Sequence, residues 1–524
     1  MEFDPVLVHD WLSRTSRRHP RKIALVCGGR RLTYSKIDHA SSRLAKSLVR
    51  HGLKRGDRVA IFMENCPEAV IAIYAILKGG GVFVVAEATA TAHALRHIVT
   101  DSGARILIAH NDRSAVVKDA FKSTVQKCPV VWVSGDRRPA SIPPPGRSWS
   151  SIVEEPNDDV VLPRIIDVDL AALIYTSGST GRPKGIMCTH HNMVSAARSI
   201  IQYIENNDKD VILDVLPLAF DYGLYQVIMA FMFGGTIVLE RSIAYLEPLI
   251  RTIEKEKVTG FPVVPTIIAM LLRMKRFPSD RLKSLRYITS TGAAWPVAHI
   301  RKIRELLPHV TIFSMFGLTE CKRVGFLPPG LIDDKPDSIG KAMPNSEISV
   351  VDRNGNIVRP GSKGELVVRG SNVMQGYWND PPTSERTFRK GRYPADRHLH
   401  SGDWMRLGKD GLLYFVGRHD DLIKTFGRRV SPREVEEIVA LTPGISEAAA
   451  IGVPDEVNGK VVAVFAVAKE KKIGKRHVQA FCKEKLEPYK VPKYVWIIDC
   501  LPKSPNGKID KKRLLDLATE RVGL

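Results

Sequence analysis

The chain has 524 residues, 44% hydrophobic and 26% charged, the balance of a globular protein with enough chain for more than one domain. Lys and Arg exceed Asp and Glu to give a formal net charge of +22, which favours anionic partners: nucleotides, a pantetheine-phosphate arm, an acidic carrier protein, nucleic acid or a membrane surface; no zinc-finger spacing or basic-aromatic signature accompanies the charge, so nucleic acid is not the expected partner. Seven scattered cysteines with no CxxC pair read as reduced thiols of a cytosolic protein, the N-terminus lacks the apolar stretch of a signal peptide, and no apolar run is long enough for a membrane span.

In chain order, helical and strand periodicities alternate. Ser35–His51 reads as an amphipathic helix closed by Gly52, Arg58–Met63 as a short buried strand, and Glu68–Lys78 as a helix stopped by Gly79-Gly80-Gly81. Val82–Ala86 and Ile106–Ala109 are further strands, and residues 134–149, rich in Pro, Ser, Gly and Arg, read as a surface loop. Strands recur at Ala171–Thr176, Val211–Leu216, Thr236–Leu239, Tyr287–Thr291 and Thr311–Met315. Such alternation predicts an α/β fold with mostly parallel sheets. Ile348 to Arg369 has short strands and turns, the texture of a small β subdomain. Further on, Pro432–Leu441 reads as a helix with Ser431 as N-cap, Val461–Val467 as a strand, Lys475–Lys485 as a helix and Tyr494–Ile498 as a strand. The expected organisation is a large N-terminal domain, residues 1–419, and a small α+β domain, residues 420–524.

The strongest chemical signal is Tyr175-Thr-Ser-Gly-Ser-Thr-Gly-Arg-Pro-Lys-Gly185, which follows a buried strand. Thr176, Ser177, Gly178, Ser179, Thr180 and Gly181 offer backbone N–H groups and hydroxyls in a tight loop, and Lys184 adds positive charge, a combination that suits polyphosphate. It is not a P-loop, because Lys184 is followed by Gly185. Downstream stand Phe316-Gly-Leu-Thr-Glu320, Ser401-Gly-Asp-Trp404, Gly417-Arg-His-Asp-Asp-Leu-Ile-Lys424, the segment from Gly427, and Pro505-Asn-Gly-Lys-Ile509. Read singly, several are bland: Ser401-Gly-Asp403 is ordinarily a turn, and Lys508 lies among Lys503, Lys511 and Lys512.

In this order the motifs resemble the adenylate-forming superfamily: acyl-CoA synthetases, the adenylation domains of nonribosomal peptide synthetases, and beetle luciferases. The resemblance implies layered mixed and parallel sheets with helices in the large domain, a small β subdomain, and a mobile C-terminal domain. It implies that ATP is held by the 176–184 loop, that Phe316 stacks near adenine, that Thr319 meets phosphate, and that Asp403 and Arg418 contact the ribose. Glu320 would hold Mg²⁺, for which a hard carboxylate oxygen is suited. Lys508 would be the catalytic lysine, acting with Glu320, Thr176 and Lys184. Asp420 would be the hinge, and Gly427 with Arg428 would lie where the thiol-bearing arm passes. Phe316 departs from the family's usual tyrosine and loses a hydroxyl.

The reaction so implied couples a small-molecule carboxylic acid to AMP, releases pyrophosphate, and passes the acyl group to a thiol of CoA or of a carrier protein's phosphopantetheine. By position, Asp221, Tyr222, Tyr225, Gly292, Met315, Arg323 and Val324 line the acid pocket. Phe220-Asp221 resembles amino-acid-activating domains, where the Asp pairs with the substrate amine, and a buried carboxylate needs such a partner; a backbone N–H or water would also satisfy Asp221. Arg323 faces either an acidic group or solvent. The leading expectation is therefore an amino-acid-activating ligase that loads a carrier in trans. An acyl- or aryl-CoA ligase is the alternative, and a catalytically silent nucleotide-binding protein the third reading.

Overall fold

The computed structural model describes residues 4–122, 128–134, 146–157, 159–176, 183–241, 245–293, 295–393, 396–418, 423–425, 428–455, 459–469, 473–486, 488–504 and 507–522. They form two compact units: residues 1–337 with 342–348 and 368–400, and residues 338–341 with 349–367 and 401–524.

The first unit is built on two sheets. One runs in the order Arg147–Ser148, Val130–Val133, Ile106–His110, Arg58–Phe62, Val82–Val85, Leu170–Thr176, Lys184–Thr189. All its pairings are parallel except the last, where Leu170–Thr176 and Lys184–Thr189 form an antiparallel hairpin. The second contains Gly325–Phe326, Thr311–Phe316, Tyr287–Ser290, Gly260–Val263, Val211–Asp214, Thr236–Leu239, Ile23–Cys27 and Arg30–Thr33, in that order. Its central strands are parallel and its outer pairs antiparallel. Parallel strands are apolar on both faces because helices cover both, and Val59, Ala60, Ile61 and Phe62 all have 0% exposure.

The helix Pro67–Lys78 shows why this packing holds. Its sequence is apolar on nearly every side, so it must lie in the interior. Its terminal Lys78 is buried, and the ammonium is satisfied by Asp38 Oδ1 at 2.6 Å, the Asp38 carbonyl at 2.9 Å, and the hydroxyls of Ser41 and Ser42. The Cys66 thiol accepts from Ala69 N at the helix start, and Pro67 fills the first turn.

In the second unit, Arg428–Val430, Ile423–Thr425, Gly459–Ala468 and Ile445–Asp455 form an antiparallel sheet, with Tyr494–Ile497 added parallel to Gly459–Ala468. The helices Pro432–Ala440 and Lys475–Lys485 bury Val435, Val439, Val478 and Cys482 against one face, and Leu514 and Ala518 of Lys511–Val522 cover the other. The same unit pairs Asp403–Leu407 with Leu413–Arg418, and the β texture read from the sequence over Ile348–Arg369 corresponds to the strands Ser346–Val351 and Lys363–Gly370. Ser431 stands at the N-cap, but its hydroxyl donates to the Val416 carbonyl and makes no capping bond, a correction to its expected role. At the end of the expected 134–149 loop, Arg147–Ser148 is a strand and Trp149 opens the helix Trp149–Val153, while residues 135–145 lie outside the described residues; the Ser148 hydroxyl caps that helix through Ser151 N. Among the described residues no helix is long and apolar enough to cross a membrane.

Candidate active site

The candidate residues of the first unit gather at the carboxyl ends of its parallel strands, where open α/β sheets bind ligands. Asp214 ends one strand, Ser290 leads to Gly292, and Met315 and Phe316 end another. Gly292 has φ +89, a conformation costly for any residue with a Cβ, and it turns the chain across the strand end.

On the phosphate side, Thr176 and Lys184 are opposite one another across the antiparallel hairpin that carries the loop. Ser177, Gly178, Ser179, Thr180 and Gly181 lie outside the described residues. Lys184 Nζ is 2.8 Å from Asp380 Oδ2, donates to Thr383 Oγ1 at 3.0 Å, and lies 5.5 Å from the Tyr377 ring centroid. Lys184 and Thr383 hold the Asp380 carboxyl down at about 2. Asp380 is also the N-cap of helix Pro381–Thr387, accepting from Thr383 N.

Tyr377 links this pair to the other half of the phosphate side. Its hydroxyl donates to Glu320 Oε1 at 2.8 Å, and Met374 N donates to the Glu320 carbonyl at 2.9 Å. Phe316, Thr319 and Glu320 are half-buried. The Glu320 carboxylate, a hard oxygen donor, fits Mg²⁺ better than a softer metal, and Mg²⁺ is usually held by one or two carboxylates together with phosphate oxygens. Tyr377, Asp380 and Thr383 were not foreseen; the signal available was Asp380 directly before Pro381-Pro382, the pattern of a helix start.

The acid side is almost fully enclosed. Asp221 opens the helix Asp221–Phe233, and its carboxylate lies 3.5 Å from Lys322 Nζ, which also donates to the Asp221 carbonyl at 2.8 Å. The ammonium sits 4.4 Å from the Tyr225 centroid and 5.5 Å from that of Tyr222. Burial pushes Lys322 down to about 7 against the pull of Asp221. Lys322 was missed because one lysine after Cys321 reads as surface charge, yet it is 3% exposed and has φ +61, a strained value held by its surroundings. Asn372, fully buried, fixes the turn by donating to the carbonyls of Cys321 and Arg323. Gly317 allows the close approach, because a Cβ there would meet the Lys322 carbonyl at 2.5 Å.

Arg323 is 2% exposed and lies with its guanidinium 5.5 Å from the Tyr222 centroid, so it does not point into solvent. The Tyr222 hydroxyl is bonded to Thr289, Met315 Sδ accepts from Tyr203 at 2.9 Å, and Val324 N donates to the Phe316 carbonyl. Asp214 is wholly buried, and burial raises its carboxyl well above the ordinary range; Oδ1 accepts from Leu216 N while Oδ2 has no partner.

In the second unit, Asp403 and Arg418 are opposite one another in adjacent strands, and Asp403 is buried. Lys508 is exposed in a turn closed by Ser504 N to the Lys508 carbonyl at 2.7 Å. Asp420, Gly427 and the side chains of Arg418 and Arg428 lie outside what is described.

Against known proteins, residues 12–378 match the family model "AMP-binding enzyme" and residues 434–508 its C-terminal domain. The chain is 32% identical to a long-chain-fatty-acid–CoA ligase of Escherichia coli O157:H7, covering 98% of this chain and 95% of the relative. It is 29% identical to the 2-succinylbenzoate–CoA ligase of Bacillus subtilis strain 168, covering 97% of each. An anthranilate CoA ligase solved with anthranoyl-AMP superimposes with a TM-score of 0.89 at 26% identity, covering 99% of both chains. The carrier-loading expectation gains no support from these relatives, and an amine would have to displace Lys322 from Asp221. With its strand-end site, its hairpin-borne lysine and this match along most of its length, the chain belongs to the AMP-binding, adenylate-forming enzyme family.

Proposed function

We propose that this protein is an acyl- or aryl-CoA ligase, which activates a carboxylic acid as acyl-AMP and transfers the acyl group to the thiol of CoA. The observation that carries this reading is the Asp221–Lys322 pair: the carboxylate that would receive a substrate amine already holds an internal ammonium. The CoA ligases among the relatives support it.

A carboxylate is a poor electrophile until its oxygen becomes part of a good leaving group. Its in-line attack on the α-phosphorus of ATP builds negative charge on phosphate oxygens, so positioned cations supply most of the catalysis. Lys184 leaves Asp380 for the phosphates, and Tyr377 keeps the Glu320 carboxylate aimed. Glu320 would hold Mg²⁺, which when bound would supply charge neutralisation for the pyrophosphate that leaves. Thr176 and Thr319 add hydroxyl donors, Asp403 and Arg418 hold the ribose, and Phe316 stacks on adenine. Lys508, carried by a C-terminal domain of residues 420–524, joins the substrate carboxylate to the α-phosphate. Asp420 is the hinge by which that domain later withdraws Lys508 and brings the Gly427–Arg428 segment to the thiol.

The test is pyrophosphate exchange into ATP across a panel of acids without thiol, followed by thioester formation with free CoA. Exchange with amine-free acids and transfer to CoA are expected. Exchange only with amino acids, or transfer only to a carrier's phosphopantetheine, would overturn the reading.

A further inference from the structure

The acid side of the site carries a charge with no counter-charge. Arg323 is 2% exposed, and a guanidinium remains protonated throughout the physiological range. Among the described residues its Nε has no hydrogen-bond partner and no carboxylate forms an ion pair with it. Its neighbours are the neutral Tyr203 hydroxyl, which is hydrogen-bonded to the guanidinium, the Tyr222 ring and the Gly317 turn, where a Cβ would stand 3.1 Å from Nη1. Of the two buried carboxylates at this end of the sheet, Asp221 is taken by Lys322, and Asp214, fully enclosed, keeps one oxygen unpartnered. The hydroxyl of Tyr225, also fully buried, lacks a partner as well.

A buried cation lacking an anion is among the more destabilising arrangements a fold can hold, and it is relieved when a ligand brings the missing charge. The carboxylate that undergoes activation is poorly suited to that task, since locking it onto a guanidinium lowers its nucleophilicity. We infer that the acid accepted here bears a second carboxylate, distal to the reacting one, which pairs with Arg323 against Tyr222. This rests on the ligase reading and adds the class of acid: dicarboxylic, with the anionic group reaching Arg323 and the chain between the two carboxyls lying past Met315 and Tyr222.

The test uses the wild-type protein in pyrophosphate exchange. Straight-chain monoacids from butanoate to octanoate are each compared with the diacid of equal length, and benzoate with its ring-carboxylated analogues. The expected result is a higher kcat/KM for the diacid in at least one pair, with the advantage concentrated at one chain length. In Arg323→Met, the ratio of diacid to monoacid kcat/KM should fall on the order of 30-fold, the usual consequence of removing one partner of a buried charge pair. Arg323→Lys should keep part of the ratio. Monoacids preferred in every wild-type pair would overturn the inference alone, as would an unchanged ratio in a folded Arg323→Met protein. Absence of exchange with every acid, in protein shown to bind MgATP, would overturn the ligase reading and take this inference with it. If Arg323→Met does not fold, the wild-type comparison decides.

Discussion

On the phosphate side, Lys184 and Asp380 have side chains 24% and 29% exposed and stand 2.8 Å apart; on the acid side, Lys322 and Asp221 are 2% and 9% exposed at 3.5 Å. Both are lysine–aspartate pairs flanked by tyrosine rings. The first is wet enough for its lysine to trade one anion for another at small cost. The second is enclosed, so losing either member strands a charge in the interior. Equal chemistry thus serves exchange in one place and permanent positioning in the other, and exposure decides which.

The comparison can be broken first at the enclosed pair. Lys322→Met should cost about 3–5 kcal/mol of stability by urea unfolding, because Asp221 is left buried and alone. Lys322→Met with Asp221→Asn should recover more than half of that; a purely additive double variant would show that the two side chains are not a pair.

Next in size is Glu320→Gln, which keeps the Tyr377 bond and removes the anionic oxygen. Pyrophosphate exchange should fall on the order of 100-fold at fixed Mg²⁺, with little change in stability. An unchanged Mg²⁺ dependence would remove Glu320 from the metal. Tyr377→Phe is milder: the lost hydrogen bond is worth about 1 kcal/mol, or roughly fivefold in the same exchange.

The smallest effect belongs to the exposed pair. The folded-state carboxyl of Asp380 is held at about 2, below its unfolded value, by Lys184 and Thr383. Its contribution is therefore complete above about pH 4 and disappears as pH falls through about 2. Asp380→Asn should cost at most about 1 kcal/mol at neutral pH, and its unfolding curve should converge with the wild type towards pH 2. A gap that persists at low pH would mean the carboxylate charge is not what stabilises the helix start.

What was legible in the chain follows the same division. The segment Tyr175–Gly185 and Phe316–Glu320 are contiguous strings whose residue types suggest their chemistry, so candidates for phosphate and metal binding could be proposed from sequence. The strands were legible from apolar runs, though Val211–Leu216 was read too long: the Asp214 carboxylate accepts from Leu216 N and turns the chain out of the sheet. The Asp221–Lys322 pair was not legible, since its members are 101 residues apart and only tertiary packing brings them together. Ser431 shows the converse, a cap residue recognised by type whose hydroxyl is claimed by a distant carbonyl.

The turn from Phe316 to Arg323 contains in eight consecutive residues the ring proposed for adenine, the proposed metal carboxylate, the lysine that neutralises Asp221 and the arginine proposed to face the acid. Its second half is pinned by Met374 N on the Glu320 carbonyl and by Asn372 on those of Cys321 and Arg323, and Val324 N on the Phe316 carbonyl closes the turn. For a lineage drifting towards a new acid, this places the selectivity positions in close linkage with the power stroke of the reaction. Lys322, at φ +61, admits few replacements besides Gly or Asn without strain. New specificities are therefore more accessible through Met315, whose side chain can be exchanged without changing the backbone of the shared turn, than through Gly292, whose φ of +89 disfavours a Cβ.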